Sequence, residues 1–333
     1  MEFCGGHTVA IYKNGLRQLF PPTVELLSGP GCPICVTPNI DIDKVIALSR
    51  IPEVIITTFG DLMRVPGSRS SLQRAKADGA AVRVVYSTMD AVQIARDNPH
   101  KSVIFVGIGF ETTAPTVAAS VVQAQQEGLN NYFVLSLHKL TPPVIGALLS
   151  SGEVNLDGII CPGHVSTIIG SEPYEPIVRD FRIACVISGF EPLDILQACH
   201  MLVVQIEEEQ PRIEIAYRRA VRPEGNREAL ALMSRVFSVG PGVWRGMGEV
   251  AHSGLKLSEE YRDFDAEVKF AITTDPPVEH KGCLCGEILR GVKVPTDCQL
   301  FSKSCTPEHP VGPCMVSSEG SCSAAYLFGG GRG

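Results

Sequence analysis

Hydrophobic positions in the first two thirds of the chain follow two alternating patterns. Short runs rich in β-branched residues predict buried strands at Val24–Leu27, Val54–Thr58, Ala81–Tyr86, Val103–Ile108, Tyr132–Leu137, Gly158–Cys161 and Ile183–Ile187. Helical spacing predicts helices between most of them, at Ile42–Ser49, Ser71–Ala77, Met89–Arg96, Thr116–Gln126 and Val144–Ser150. Buried strands that alternate with helices are typical of doubly wound parallel sheets, which bind ligands at the carboxyl ends of their strands.

Two short motifs occur twice and indicate an internal repeat. The sequence GPGCP at residues 29–33 has a counterpart in CPGH at 161–164, and GFE at 109–111 recurs at 189–191. We therefore expect two similar α/β lobes around a cleft, formed by residues 1–107 and 108–222. Helical character from Leu193 to about Val221, with a possible break at Pro211, leads to a third region, residues 223–333, that is poorer in strands.

Cysteine is concentrated in this third region. Six of the twelve cysteines lie in its last part, at Cys283, Cys285, Cys298, Cys305, Cys314 and Cys322. Such a density indicates disulfides, zinc or an iron–sulfur cluster. The net charge of −7, with no basic cluster, no apolar run long enough for a membrane and no signal peptide at the start, predicts a cytoplasmic protein without nucleic-acid or membrane partners.

Cytoplasmic thiols stay reduced, so the cysteines favour iron–sulfur chemistry over zinc, and both over structural disulfides. The spacing C-x14-C-x6-C-x16-C offers four thiolates for a [4Fe–4S] cluster, at Cys283, Cys298, Cys305 and Cys322. Cys285 and Cys314 would then be spare thiols or alternative ligands.

Three further motifs carry possible chemistry. In CGGH, residues 4–7, Cys4 can supply a soft thiolate ligand and His7 a base or donor, although a stray cysteine in a disordered terminus is an alternative. In GPGCPIC, residues 29–35, Cys32 and Cys35 have the spacing of a reversible dithiol, with half a zinc site and a structural role as alternatives.

The third motif is GFETTAPT, residues 109–116, which follows a predicted strand. Glu111, Thr112 and Thr113 stand where a helix should begin, and backbone amides at such a position favour anions. A capped strand–helix turn without a ligand is the alternative. The sequence lacks the Gly-Lys-Ser/Thr of a phosphate-binding loop.

Other residues carry less weight in the prediction. His138, Lys139 and His164 follow predicted strands and could face the cleft, whereas Asp61 and Arg64 predict a surface ion pair. Apolar neighbours around Cys185 and Cys199 indicate inert core cysteines. The lone tryptophan is expected to pack between domains.

Taken together and in this order, CGGH, GPGCPIC, GFETTAPT, CPGHV at residues 161–165 and the tail cysteines resemble the HypD family. These accessory proteins mature [NiFe] hydrogenases. The resemblance implies two α/β lobes and a C-terminal [4Fe–4S] domain. It also implies a small HypC-type chaperone and a HypE-type cyanide donor as partners, and the hydrogenase large subunit indirectly, in assembly of the Fe(CN)2CO unit.

The resemblance also assigns roles to residues of this chain. Cys4 would bind the iron that carries cyanide and CO, and His7 would assist. Cys32 and Cys35 would be the redox pair, Gly109–Thr116 would line the cleft, and the cluster ligands would be Cys283, Cys298, Cys305 and Cys322. We hypothesise an electron relay from the cluster through Cys32 and Cys35 to iron on Cys4.

These roles are more typical of a maturation scaffold with redox activity than of a stand-alone enzyme. Two alternatives remain open at this level. One is an iron–sulfur thiol–disulfide reductase that acts on a protein disulfide, and the other is a zinc-stabilised small-molecule enzyme.

Overall fold

The computed structural model describes residues 1–329. Helices α1–α15 are Gly5–Lys13, Pro33–Val36, Asn39–Ser49, Leu72–Ala77, Thr88–Asp97, Ala114–Gln126, Thr141–Ser151, Gly163–Ile169, Glu175–Phe181, Pro192–Glu207, Arg227–Val236, Ala266–Lys269, Cys285–Leu289, Pro313–Val316 and Ser321–Phe328. Strands β1–β9 are Val54–Thr58, Val82–Val84, Ser102–Gly107, Tyr132–Ser136, Gly158–Cys161, Ala184–Ile187, Ile213–Ile215, Phe237–Trp244 and Gly248–Leu257. Within residues 1–329, no helix is long and apolar enough to cross a membrane.

The first sheet is parallel throughout, in the order β2-β1-β3-β4. Alternate residues of its strands point to opposite faces, and both faces are covered by helices. Ile56 and Ile104 pack on the side of α3, whereas Ile55 and Val103 pack on the side of α5 and α6. This is the doubly wound arrangement that the continuous apolar runs predict.

The second sheet is also parallel, in the order β5-β6-β7. Val186 faces α1 and α10, and Cys185 faces the side of α8 and α9, so this sheet too is covered on both faces. The N-terminal residues extend it beyond β5. Glu2 forms parallel bridges with both Ile160 and Ser28, so residues 1–3 lie between β5 and the segment around Ser28.

These pairings differ from the expected division of the chain. A domain boundary between residues 107 and 108 would separate β3 from β4, which are neighbours in one sheet: Val103 of β3 lies opposite Tyr132 of β4. Residues 1–3 belong with the second sheet. The predicted strand Val24–Leu27 was wrong, because only Ser28 beside it forms a bridge.

The possible break at Pro211 in the predicted helical segment is confirmed, but the helical character beyond it, to about Val221, was wrong. Helix α10 ends at Glu207, and Glu209 then takes a left-handed φ of 54° before Pro211. The chain continues as β7, a short strand that needs the edge of β6 to form.

The third region contains an antiparallel hairpin, β8–β9, that hydrophobic patterning did not indicate. Its strand β8 includes Gly240-Pro241-Gly242, which is typical of a turn, and its register is irregular there. The hairpin docks beside the first sheet, where the N–H of Leu255 donates to the carbonyl of His138, just after β4, at 3.2 Å. Trp244 is buried in this junction and stacks on Phe110 at 5.9 Å, which confirms its predicted packing role.

Candidate functional site

A cavity of about 300 Å³ lies at the carboxyl ends of β1 and β3. Its walls come from the first sheet, the start of α2 and a short stretch of the tail, and they include Pro33, Ile34, Thr58, Phe59, Asp61, Val106, Ile108, Gly109, Thr113 and Ser317–Glu319. Parallel sheets place their ligands at this edge. The cavity is therefore where the predicted motifs are expected to meet.

Cys4 lies beside this cavity at the N-terminus of α1. Its thiol is buried, and burial, followed by the charges of Glu319 and Glu2, raises its pKa to about 12. The backbone N–H groups of Gly6 and His7 are directed at the sulfur and oppose that shift. The thiol is therefore protonated at neutral pH unless a cation binds it.

The two glycines of the CGGH motif allow close packing on both sides of Cys4. A Cβ atom on Gly5 would lie 2.5 Å from Cβ of Glu319, and one on Gly6 would lie 2.9 Å from the ring of Phe190. Neither position tolerates a side chain without movement of its neighbour. The motif is thus an ordered helix start, and the alternative of a disordered terminus is wrong.

His7 attaches α1 to the second lobe. The imidazole is fully buried, stacks on Phe190 at 4.9 Å, and its Nε2 lies 3.2 Å from the carbonyl oxygen of Ser188. Burial lowers its pKa to about 4, so the ring is neutral near pH 7. With Nε2–H donating to Ser188, Nδ1 is left as a buried acceptor that has no partner in the described chain.

Cys32 and Cys35 form a disulfide at the start of α2. Both residues are buried, and Cys32 Sγ accepts the backbone N–H of Cys35 at 3.2 Å. The preceding Gly31 packs on the backbone of Cys4, and its carbonyl accepts the N–H of Gly5 at 2.9 Å. The disulfide is therefore next to Cys4.

Of Glu111, Thr112 and Thr113, only Thr113 is on the wall of this cavity. The buried carboxylate of Glu111 instead accepts hydrogen bonds from the N–H of Thr141 at 2.8 Å and its hydroxyl at 3.0 Å, which caps α7. Desolvation raises the pKa of Glu111 to about 7. Glu111 and Thr112 are therefore not on the wall of this cavity, although Glu111 lines another one, beside Pro142 and Leu230. A capping role also suits an acid between strand and helix.

Two acidic residues of the cavity had no predicted role there. Asp61 lies at the mouth and Glu319 is half-buried beside Cys4. Desolvation raises the pKa of both carboxyl groups, and the charge of Asp61 adds to the shift at Glu319. Arg64 does not pair with Asp61 in the described structure and donates to the carbonyl of Pro307 at 3.1 Å, so the predicted ion pair was wrong. The only sequence signal for Asp61 was its place after a strand.

The other cleft candidates pack elsewhere. His138 is buried beneath the β8–β9 hairpin, and its Nδ1 lies 3.1 Å from the hydroxyl of Ser136. Lys139 is buried 3.7 Å from Asp41. His164 stacks on Phe190 at 3.9 Å, near His7. These contacts give His138 and Lys139 a role in supporting the strand ends, whereas His164 is exposed beside Phe190.

All six tail cysteines line one small apolar cavity. Cys285 and Cys314 form a disulfide, so they are neither spare thiols nor alternative ligands in this structure. The remaining four are free thiols: Cys283, Cys298, Cys305 and Cys322. All four lie close together, since they line the same small cavity. Burial, and then the charges of the other three, raise the pKa of Cys322.

The backbone around these thiols is closely fitted to them. A Cβ atom on Gly312 would lie 2.6 Å from Sγ of Cys283, and the N–H of Val311 donates to Sγ of Cys305 at 3.3 Å. No three His, Cys, Asp or Glu side chains of residues 1–329 converge as ligands of a single ion. Zinc needs such convergence at about 2.3 Å, whereas in a [4Fe–4S] cluster each thiolate binds a different iron. Four free thiols around one cavity, each able to bind a different iron, are a donor set that fits a [4Fe–4S] cluster.

Helix α2 connects the two cavities. Sγ of Cys35 lies 4.0 Å from the carbonyl oxygen of Pro313, the residue before Cys314. The order in space is thus Cys4, the Cys32–Cys35 disulfide, the Cys285–Cys314 disulfide and the four free thiols.

Comparison with known proteins shows which family the chain belongs to. A family model named HypD, described as "Hydrogenase formation hypA family", matches residues 1–329. The chain belongs to the HypD family. It is 50% identical to the hydrogenase expression/formation protein HupD of Azotobacter chroococcum mcd 1 over an alignment of 336 positions that covers 99% of this chain and 89% of that protein.

Other HypD proteins show similar identity. The hydrogenase maturation factor HypD of Azotobacter vinelandii is 48% identical, over 99% of this chain and 89% of its own length. That of Escherichia coli K12 is 45% identical, over 98% of this chain and 88% of its own length. The resemblance carried by the five motifs is thereby confirmed.

Proposed function

We propose that this chain is a hydrogenase maturation factor, a scaffold and redox protein for assembly of the Fe(CN)2CO unit of [NiFe] hydrogenase. It acts in the cytoplasm with a HypC-type chaperone and a HypE-type cyanide donor, and serves the hydrogenase large subunit indirectly. The observation that carries the proposal is the position of Cys4, which lies between a cavity at the sheet edges and a disulfide.

In this function, iron is the cargo and Cys4 is its anchor. A thiolate is the soft ligand that an iron with cyanide and CO requires. Because burial keeps Cys4 protonated, binding of iron must release that proton. Glu319, whose charge acts on Cys4, is the acceptor best placed to receive it.

The cavity walls suit the diatomic ligands of the iron. Cyanide nitrogens accept hydrogen bonds, and a protonated carboxyl group or a hydroxyl donates them. Asp61 and Glu319, whose pKa values are raised, are the acidic candidates on the wall, and Thr58 adds a hydroxyl. Fixed donors of this kind bind ligands without reorganisation of the protein.

Cys32 and Cys35 are the redox groups nearest the cargo. Their disulfide takes up two electrons and two protons to give two thiols. The N–H of Cys35 already points at Sγ of Cys32, so a thiolate formed there is stabilised at once. A [4Fe–4S] cluster on Cys283, Cys298, Cys305 and Cys322 would supply electrons one at a time.

An infrared spectrum in the cyanide and CO stretching region tests the scaffold role. The protein is purified without oxygen from a host that expresses its partners. We expect bands in the native chain and in Cys199→Ala, which removes a buried free cysteine of α10 that does not line the cavity. We expect none in Cys4→Ala. Bands that persist in Cys4→Ala would contradict iron binding by Cys4.

The thiol–disulfide reductase remains the second candidate. Its support is that two disulfides, Cys32–Cys35 and Cys285–Cys314, lie beside the four thiols. This function needs no Cys4. A brown protein that contains iron and acid-labile sulfide but lacks both infrared bands would favour it.

A further inference from the structure

The tip of the β8–β9 hairpin, residues 245–247, lies between α2 and α13. Its Gly246 approaches the chain so closely that a Cβ atom there would lie 2.6 Å from Cα of Gly286. Arg290 from the end of α13 donates to the carbonyl of Gly246. The hairpin tip is thereby held against the helix that begins at Cys285, and Arg245 extends from it toward α2.

Arg245 donates hydrogen bonds to three consecutive backbone carbonyl groups at the end of α2. Its backbone N–H donates to Val36 at 2.8 Å, its Nε to Cys35 at 3.1 Å, and its Nη2 to Thr37 at 2.7 Å. The last carbonyls of any helix lack partners within the helix. In α2, which is a single turn, one arginine supplies the partners that the helix itself cannot.

The guanidinium is buried and fully engaged. Arg245 is 4% exposed, and its side chain also donates to Oδ1 of Asn39 at 2.9 Å and to Oε1 of Glu279 at 2.7 Å. Removing a guanidinium from water costs free energy, which only good geometry and many hydrogen bonds offset. The planar fork of arginine meets this demand, and lysine does not.

We propose that Arg245 is a positioning residue for the Cys32–Cys35 pair. It holds α2 in the shape in which the two sulfurs meet, and so stabilises the disulfide relative to the dithiol. The inference rests on the proposed function only in taking Cys32 and Cys35 as the redox pair.

The physical basis is the effective concentration of the two thiols. A disulfide is more stable when the backbone already holds its two sulfurs together, since less conformational entropy is lost on closure. Without Arg245 the turn loosens, and the dithiol becomes easier to form. In the measured reaction the Cys32–Cys35 bond breaks, an S–S bond forms in the reductant dithiothreitol, and two electrons and two protons pass to the protein.

A role of charge alone predicts the opposite sign. A cation near a thiolate stabilises the reduced form, so its loss would make the disulfide harder to reduce. Arg245→Lys keeps the charge but loses the fork, whereas Arg245→Met loses both. The two variants therefore distinguish an effect of the hydrogen bonds that hold α2 from an effect of the positive charge.

The experiment equilibrates the purified full chain with mixtures of reduced and oxidised dithiothreitol and then alkylates the free thiols. Cys32 and Cys35 are contained in one tryptic peptide, residues 18–44, so mass spectrometry reports their state separately from the tail. We expect Arg245→Met and Arg245→Lys to be about tenfold easier to reduce, a rise of about 30 mV. Arg96→Met, which removes a surface ion pair with Glu127, should not change the equilibrium.

Asn39→Ala removes one acceptor of the fork and should shift the equilibrium in the same direction by a smaller factor. If circular dichroism shows that Arg245→Met does not fold, the Asn39→Ala variant tests the proposal in its place. An unchanged equilibrium in these variants, or a native-like Arg245→Lys beside a harder-to-reduce Arg245→Met, would overturn the proposal. The measurement needs no iron and no partner, so failure of the maturation function leaves it interpretable.

Discussion

Gly5 packs directly on Glu319: a Cβ atom added to Gly5 would lie 2.5 Å from Cβ and 2.8 Å from the carbonyl oxygen of Glu319. This contact joins the residue after Cys4 to the tail that carries the six clustered cysteines. Helix α1 also packs against α15 nearby. The CGGH motif and the tail segment around Glu319, which lie at opposite ends of the described chain, thus meet beside one cavity. Gly5 is a glycine because Glu319 occupies the place of its side chain.

Gly5→Ala should lower the stability of the protein. The neighbouring atoms include backbone of Glu319, which cannot rotate away, so we expect a loss of about 1–3 kcal/mol in the free energy of unfolding. Gly240→Ala is the matched control, because a Cβ there meets no atom within 4 Å. Urea denaturation of the three proteins measures the difference. Equal midpoints for Gly5→Ala and the native chain would show that the contact tolerates a methyl group.

Glu111 should make the stability of the protein depend on pH. Its pKa is raised from 4.5 to about 7 in the folded protein, chiefly by desolvation. Between these values the folded state binds more protons than the unfolded state, so the free energy of unfolding falls as pH rises from about 4.5 to 7. The full effect on the free energy of unfolding is about 3 kcal/mol, because a shift of one pKa unit corresponds to about 1.36 kcal/mol.

Glu111→Gln removes this titration and keeps an acceptor for Thr141. As pH rises from about 4.5 to 7, the free energy of unfolding of the native chain should fall relative to that of the variant. Above pH 7 this difference should stay constant. Denaturation curves of both proteins at pH 5, 6, 7 and 8 provide the comparison. A difference between the two that does not change with pH would contradict the raised pKa of Glu111.

Hydrophobic patterning predicted the first sheet well, because β1, β3 and β4 are buried on both faces and lie between clear helices. It could not predict that residues 1–3 pair with β5, since three residues carry no period and their partner is far along the chain. It also missed β8, where only part of one face is buried and Gly240-Pro241-Gly242 is typical of a turn.

The site was predicted where unusual residues carry the signal. The cysteines at positions 4, 32 and 35 and the tail cysteines are rare enough to be found by spacing. Glu319 was missed and Asp61 was given only a surface ion pair, because carboxylates are common and only the fold brings these two to one cavity. Glu111 was placed in the cleft because a capping acid and a binding acid occupy the same sequence position after a strand.

Replacing the Cys32–Cys35 pair should stop hydrogenase maturation without loss of the iron and sulfide that we assign to the tail cysteines. The two cysteines lie on α2, whereas the four free thiols line a separate cavity. We expect Cys32→Ala and Cys35→Ala to retain iron and acid-labile sulfide at native levels while hydrogenase activity in the producing strain is lost. Cys199→Ala should be active, because that thiol is in the core behind the second sheet. Normal hydrogenase activity in a strain with both cysteines replaced would sink the redox role.

Gly312→Ala should specifically damage the tail site. A Cβ atom on Gly312 would lie 2.6 Å from Sγ of Cys283, so the methyl group must displace a thiol that we assign to the cluster. Because changes next to a metal ligand cost about 10–100-fold in metal affinity, we expect most of the iron and acid-labile sulfide to be lost. Gly282→Ala is the control, because Gly282 is also next to Cys283 but its Cβ would meet Leu300 at an ordinary 3.5 Å. Iron and sulfide assays of anaerobically purified proteins, with circular dichroism to confirm folding, measure the effect. Native iron and sulfide content in Gly312→Ala would mean that Cys283 does not hold the cluster.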